Sequence, residues 1–227
     1  INRVGANSIE ARAILAVYEK DADFHTIYLS AQSAFGMRRI LAEVIFGEDQ
    51  SKFRVVTNDI GGAFGMKAAF YPEYALSVWS ARLLGKPVKW IEERTEAHLT
   101  DYHGRDNYTE AELALDARGN FIALRADVIT NNGAHTIAFV PLVKTTELLP
   151  SVYRYKTATT RGRAVTTNTS PTAPYRSAGR PEAMFVIERL IDIAAQDHGF
   201  DPIELRRLNL ISPEAMPYRT ALGLEYD

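Results

Sequence analysis

The chain has 227 residues, 46% apolar and 24% charged, with a formal net charge of −2. That length can bury a substantial core, the balance is that of an ordinary globular protein, and the charge offers no electrostatic case for binding nucleic acid or an anionic membrane. The absence of cysteine excludes disulfides, thiolate metal sites, iron–sulfur ligation and a cysteine nucleophile within the chain.

In chain order, "ARAILAVYEK" and "FHTIYLS" read as two strands joined by a turn at Asp21-Ala22-Asp23. "GMRRILAEVIFG" has helical spacing at Met37, Ile40, Leu41, Val44 and Ile45 and stops at Gly47. "FRVVTND" is a strand feeding the loop "IGGAFG". Pro72 opens a helix whose expected apolar stripe is Ala75, Leu76, Trp79 and Leu83, with Gly85 and Pro87 closing it. "PVKWIEE" is a strand, "YTEAELALDARGNFIALRADVIT" a hairpin turning at Asp116 to Asn120, and "KTATTRGRAVTTN" a further strand. Pro181 opens a helix with Met184, Ile187, Ile191 and Ala195 on one face and Gly199 as its stop. Asp201 then caps "PIELRRLNL". Strands and helices mix without βαβ alternation, which predicts an α+β fold of mixed sheets with packed helices, read as a single subdomain over 1–227. No apolar run approaches the length of a membrane span. The start at Ile1 and the abrupt stop at "GLEYD" read as a piece of a longer protein, and the lack of cysteine fits a reducing, cytoplasmic compartment.

Two stretches carry candidate chemistry. Gly61, Gly62 and Gly65 surround Ala63 and Phe64 between a strand and a helix. Such a loop binds an anion at a helix N-terminus, or is a tight turn on the core with Phe64 as a plug. It is neither a P-loop, lacking Gly-Lys-Ser/Thr, nor a dinucleotide fingerprint, since the spacing is GGxxG. In "APYRSAGRPEA", Arg176 and Arg180 flank small residues before a helix, either converging on a negative group or lying solvated in a loop. His25, His98, His103, His135 and His198 lack metal-ligand spacing and read as structural or exposed. Glu92, Glu93 and Glu96 read as a solvated acidic face.

"IGGAFGMK" resembles the GGGFGGK loop of the molybdenum hydroxylases (xanthine dehydrogenase, aldehyde oxidase and aerobic carbon monoxide dehydrogenase), and "APYRSAGRPEA" resembles their PYRGAGRPE segment. "NRVGANSIEAR", "LSAQSAF", "GKPVKWIEERTEAHLTDYHGR", "LDARGNFIALRADVITNNGAH" and "DPIELRRLNLI" follow the family's order, so the likeness spans nearly the whole chain.

The resemblance implies the first half of the molybdopterin-binding domain of a large subunit. The cofactor would be molybdopterin, in its cytosine dinucleotide form, carrying molybdenum. FAD and 2Fe-2S centres would sit on partner subunits or domains, and the assembly would be an oligomer. Gln32 would hydrogen-bond an oxygen on the metal, Gly61, Gly62, Ala63, Phe64 and Gly65 would line the cofactor, Phe64 would wall the substrate pocket, and Arg176 would orient the substrate or stabilise developing negative charge. No side chain of this chain would ligate the metal directly. The family's catalytic glutamate lies in the second half, so the fragment alone is expected to be inactive. Ser177 stands where copper-containing members have cysteine, and Ala68 where purine-oxidising members often have glutamate. The reaction implied is oxidation of aldehydes or N-heterocycles with water as oxygen source, of the carbon monoxide dehydrogenase-like form II type. The alternative is a scaffold domain that keeps the fold without the cofactor.

Overall fold

The computed structural model describes residues 1–227 and contains two compact units, Gly5–His103 and Gly104–Asp227 with Ile1–Val4, the latter segment holding strand β1 (Arg3–Val4). Mixed sheets with helices packed on them give the expected α+β class. No helix is long and apolar enough to cross a membrane.

In the Gly5–His103 unit, β2 (Ala13–Glu19) and β3 (Phe24–Leu29) form the expected hairpin, with Ile14 opposite Leu29 and Glu19 opposite Phe24. β4 (Phe53–Val56) adds parallel to β3 and β5 (Val88–Ile91) antiparallel to β2, giving the order β4-β3-β2-β5. The period of two puts Ile14, Ala16, Ile27 and Leu29 on one buried face. They share a core with Met37 and Leu41, and with Tyr74, Val78 and Ala81 of α2 (Pro72–Leu84).

Two sequence expectations change here. The helix predicted through Gly47 is a short α1 (Ala34–Arg39) continuing into a π-helical segment, Ile40–Phe46, where the Gly47 N–H donates to Ala42 O. The wider turn rotates Val44 and Ile45 away from Met37 and Leu41, so both are exposed. In α2 the buried face is Tyr74, Ser77, Val78 and Ala81, while the expected stripe members Leu76, Trp79 and Leu83 are exposed. The small Ser77 and Ala81 let the helix backbone approach the sheet closely, a criterion that hydrophobicity alone does not capture. A further helix, α3 (Arg94–Thr100), was not anticipated; Glu93 and Glu96 form its capping box.

In the other unit, β1 pairs with β6 (Gly104–Arg105), Arg3 opposite Arg105. β7 (Asn107–Leu115) and β8 (Phe121–Gly133) form the expected hairpin, whose turn is fastened by Asp116 Oδ1 accepting from the Arg118 and Asn120 amides. An unanticipated helix, α4 (Val140–Glu147), precedes β9 (Thr157–Thr166), which lies parallel to β8. α5 (Arg180–His198) buries Ala183, Ile187, Ile191, Ala194 and Ala195 against Phe121, Leu124 and Ala126, and ends at the left-handed Gly199. α6 (Pro202–Asn209) is capped by the Asp201 side chain as expected. β10 (Tyr218–Arg219) and β11 (Glu225–Tyr226) close the chain as a small hairpin.

Candidate functional site

The glycine loop leaves β4 and takes left-handed backbone angles at Gly62 (φ +101°), Phe64 (φ +53°) and Gly65 (φ +106°). For phenylalanine this conformation is strained and persists only where its surroundings impose it. A Cβ on Gly62 would lie 3.1 Å from the Phe64 ring and 3.2 Å from Ser8 Cβ, so this position has neither the angles nor the room for a side chain. The loop does not abut a helix N-terminus as the sequence implied. A 3-10 turn, Met66–Ala68, and extended backbone at Ala69 and Tyr71 separate it from α2. Phe64 is 42% exposed, so it is no core plug.

Both ends of the loop are fastened. At its far end Gln32 donates its backbone N–H to Lys67 O at 3.1 Å and accepts the Gly65 N–H on its side-chain Oε1 at 2.7 Å. With Oε1 so engaged, Nε2 of this exposed side chain remains as a donor. At the near end the Glu10 N–H donates to Gly61 O at 3.0 Å, and the Glu10 carboxylate accepts the Gly61 N–H. The second carboxylate oxygen lies 3.6 Å from the fully buried Lys67 ammonium. Burial lowers the Lys67 pKa against the opposing pull of Glu10. Burial also works to raise the Glu10 pKa, but the Ser30 hydroxyl, the Gly61 N–H and the Lys67 charge together hold it below the usual carboxylate range. Between the two fastenings the amides of Gly62, Ala63 and Phe64 donate to nothing in the protein. Three successive unengaged N–H groups leave the loop with backbone donors available to acceptor oxygens.

Arg176 lies in the other unit, in a turn where Ser177, Ala178 and Gly179 have φ of +72°, +31° and +89°. A Cβ on Gly179, the residue capping α5, would meet Pro141 O at 2.2 Å. Arg105 braces the turn. Its Nη2 donates to Arg176 O at 3.4 Å, its Nη1 pairs with the buried Glu182 at 3.1 Å, and its guanidinium lies 4.9 Å from the Tyr175 ring centre. The Arg176 side chain is exposed and makes no hydrogen bond or ion pair, whereas Arg180 bonds back to Ser177 O at 3.2 Å. Of the sequence-predicted residues, the structure therefore brings Gln32 directly onto the glycine loop and sets Arg176 in a strained, braced turn. Glu10, Lys67, Arg105 and Glu182 were missed as supports. Their signal was position within the quoted motifs, each one to five residues from a glycine or strained residue.

The acidic face read at Glu92, Glu93 and Glu96 is corrected. Glu92 is buried and bonded to the fully buried Arg12, which also engages Asp101 and Glu73. His25 is buried, whereas His98, His135 and His198 are exposed. No group of three His, Asp or Glu side chains is placed to hold a metal ion.

Residues 1–210 match the family model described as the molybdopterin cofactor-binding domain. The chain is 33% identical to the carbon monoxide dehydrogenase large chain of Hydrogenophaga pseudoflava, covering 99% of this chain and 28% of that one. It is 32% identical to the 6-hydroxypseudooxynicotine dehydrogenase complex subunit gamma of Paenarthrobacter nicotinovorans, covering 100% of this chain and 28% of that one. Among solved structures, quinoline 2-oxidoreductase from Pseudomonas putida 86 superposes with a TM-score of 0.94 at 32% identity, over 99% of this chain and 29% of that one. The chain thus spans about 28% of the length of the curated relatives it matches.

Proposed function

Because this chain belongs to the molybdopterin cofactor-binding domain family, we propose that it is part of the molybdenum-binding large subunit of a cytoplasmic hydroxylase. Its substrates are aldehydes or N-heterocycles, and the oxygen introduced comes from water. The observation that carries this reading is the glycine loop, fastened at Gly61 and Gly65 and left with three unengaged amides between them.

These residues fit the cofactor. Gly62, Ala63 and Phe64, held between Gly61 and Gly65, offer backbone donors to its oxygens, Gly62 admits it closely because no side chain fits there, and Gln32 presents Nε2 to a further acceptor. When bound, the molybdenum cofactor supplies a two-electron acceptor and the means of hydroxylating an electron-poor carbon. The exposed Phe64 ring offers an apolar wall for an aromatic substrate. Arg176 offers an uncommitted guanidinium to charge that grows on the substrate, the kind of preorganised donor that lowers barriers most. Ser177 supplies no thiolate for copper, and Ala68 no carboxylate for a purine, so neither carbon monoxide nor xanthine is a good substrate. The names of two relatives, one of them a quinoline oxidoreductase, support the N-heterocycle class. The cofactor is molybdopterin in its cytosine dinucleotide form, the rest of the molybdenum domain completes its binding site, and FAD and 2Fe-2S centres on partner subunits or domains of an oligomeric assembly complete the electron path.

The test is to purify the full-length subunit with its partner subunits, measure molybdenum and pterin per protein, and assay quinoline, aromatic aldehydes, xanthine and carbon monoxide in ¹⁸O-labelled water. Near-stoichiometric molybdenum and label in a hydroxylated heterocycle or carboxylic acid are expected. Full-length protein without cofactor from cofactor-replete cells refutes the reading and leaves a scaffold domain. The 1–227 fragment by itself is expected to retain no molybdenum, because the remaining cofactor contacts belong to the rest of the subunit.

A further inference from the structure

We propose that Glu10 is the positioning residue of the glycine loop, clamping Gly61 with its backbone and carboxylate while facing the buried Lys67 ammonium, and so keeping the Gly62–Phe64 amides free for a ligand. The clamp stands on contacts within this chain; its service to a molybdenum cofactor rests on the function proposed above.

Three observations lead to it. First, the grip on Gly61 is reciprocal. Glu10 N–H donates to Gly61 O at 3.0 Å, and the Gly61 N–H returns to the Glu10 carboxylate. The two residues are packed so closely that a Cβ on Gly61 would lie 2.6 Å from Glu10 Cβ, so Gly61 is glycine because Glu10 is there. Second, Lys67 is fully buried, its ammonium has no hydrogen-bond partner, and Glu10 is the one carboxylate within ion-pair distance of it. A buried ammonium with no counter-charge is costly, so Lys67 holds Glu10 in place as firmly as Glu10 holds the loop. Lys67 also belongs to the 3-10 turn that closes the loop and accepts the Gln32 N–H, so one ion pair ties the loop's entry to its exit. Third, Glu10 does not float. Ser8 Oγ donates to Glu10 O at 2.8 Å, and Arg94 donates to Ile9 O and to Asn7 Oδ1.

The physical need for such a clamp is plain. A loop with Phe64 at positive φ and three amides unengaged gains by relaxing toward conformations that satisfy them. Only a surround that over-determines the loop keeps it open. Gln32 secures Gly65, and Glu10 secures Gly61; between these anchors the free amides have nowhere to turn.

The experiment compares Glu10→Gln, Lys67→Met and the double variant in the full-length subunit purified without cofactor. Hydrogen exchange is followed in the peptide covering 59–68, where Gly61, Gly65, Met66 and Ala68 donate hydrogen bonds. Glu10→Gln keeps an acceptor for Gly61 but strands the Lys67 charge, and exchange is expected to rise about tenfold, the scale of one charge-assisted hydrogen bond. The double variant removes the stranded charge while keeping the acceptor, and exchange is expected to return to within about threefold of the wild type. A merely structural loss gives no such rescue. Unchanged exchange in Glu10→Gln, or a double variant no better than the single one, overturns the proposal. Should Glu10→Gln not fold, recovery of fold and wild-type exchange in the double variant supports it, and failure of the double variant overturns it. Molybdenum content of the same variants, grown with cofactor, is a separate arm. If it ignores loop exchange altogether, the clamp stands and the function proposed above is the part that fails.

Discussion

The Arg12 guanidinium lies 3.7 Å from the centre of the Tyr71 ring, with its edge turned to carboxylates. Nε donates to Asp101 Oδ1 at 2.8 Å, Nη1 to Glu73 at 3.2 Å, and Nη2 to Glu92, and neither Arg12 nor Glu92 exposes any side-chain surface. This cluster joins the segment carrying Glu10 to β5, α2 and α3. Arg12→Met leaves the Glu92 and Asp101 carboxylates buried without a counter-charge and is expected to cost about 3–5 kcal/mol in equilibrium unfolding. Arg12→Lys is expected to recover little, because an ammonium reproduces neither the fork nor the stack on Tyr71. Loss of less than about 1 kcal/mol in Arg12→Met, a surface-pair value, would show that the cluster is not the anchor described.

His25 stacks on Phe53 at 4.7 Å and meets Tyr18 tilted by 36° at 4.6 Å between ring centres, and neither ring nitrogen has a hydrogen-bond partner. Burial, and then the Arg82 charge with a smaller part from Lys52, lowers its pKa against Glu48 and Asp23. The imidazole is therefore neutral in the fold and takes a proton near pH 6.5 when unfolded. Its contribution is complete above that pH and is lost as pH falls through it toward the depressed folded value, at a limiting slope of about 1.4 kcal/mol per pH unit. Denaturation midpoints at pH 7.5 and 5.5 check this, and His25→Phe is expected to flatten the difference. An equal pH dependence in the variant assigns it to other groups.

Two left-handed glycines bound α5 and differ in their surroundings. Around Gly199 (φ +72°) nothing lies within 4 Å of an added Cβ, whereas at Gly179 (φ +89°) Pro141 O would lie at 2.2 Å and Thr145 N at 2.8 Å. Gly199→Ala is expected to cost about 1 kcal/mol, the ordinary penalty for the left-handed region. Gly179→Ala is expected to cost about 3 kcal/mol or more, because backbone must move as well. Thermal unfolding of the pair reads the contrast, and equal costs would mean that the α4–α5 approach relaxes freely.

Arg176→Met in the full-length enzyme keeps length and removes charge. With its side chain uncommitted within the protein, the loss is expected, on the function proposed above, to fall on the substrate and not on the fold. A fall in kcat/KM on the order of a hundred- to a thousandfold is expected, about 2.7–4 kcal/mol of transition-state stabilisation, with molybdenum content unchanged. Normal turnover, or loss of molybdenum, assigns Arg176 another role.

By itself the sequence determined the fold class, every strand longer than two residues, the Asp116–Asn120 turn, the Asp201 cap, the Gly85 and Gly199 stops and the family. These are local properties: alternation, capping chemistry and glycine's access to positive φ act between near neighbours in the chain. It also singled out Gln32, the glycine loop and Arg176, through motif order. Only the tertiary structure decided which faces are buried, because that depends on what packs opposite. α2 hides Ser77 and Ala81 and exposes Trp79, since close approach to the sheet outweighs side-chain hydrophobicity there. Glu92 looked solvated until Arg12, 80 residues away, was found against it. Glu10 and Gly61 stand 51 residues apart, and no local pattern announces a carboxylate reaching across that distance to hold a loop open. A buried charge is legible only with its partner, and here folding alone brings the partner into place.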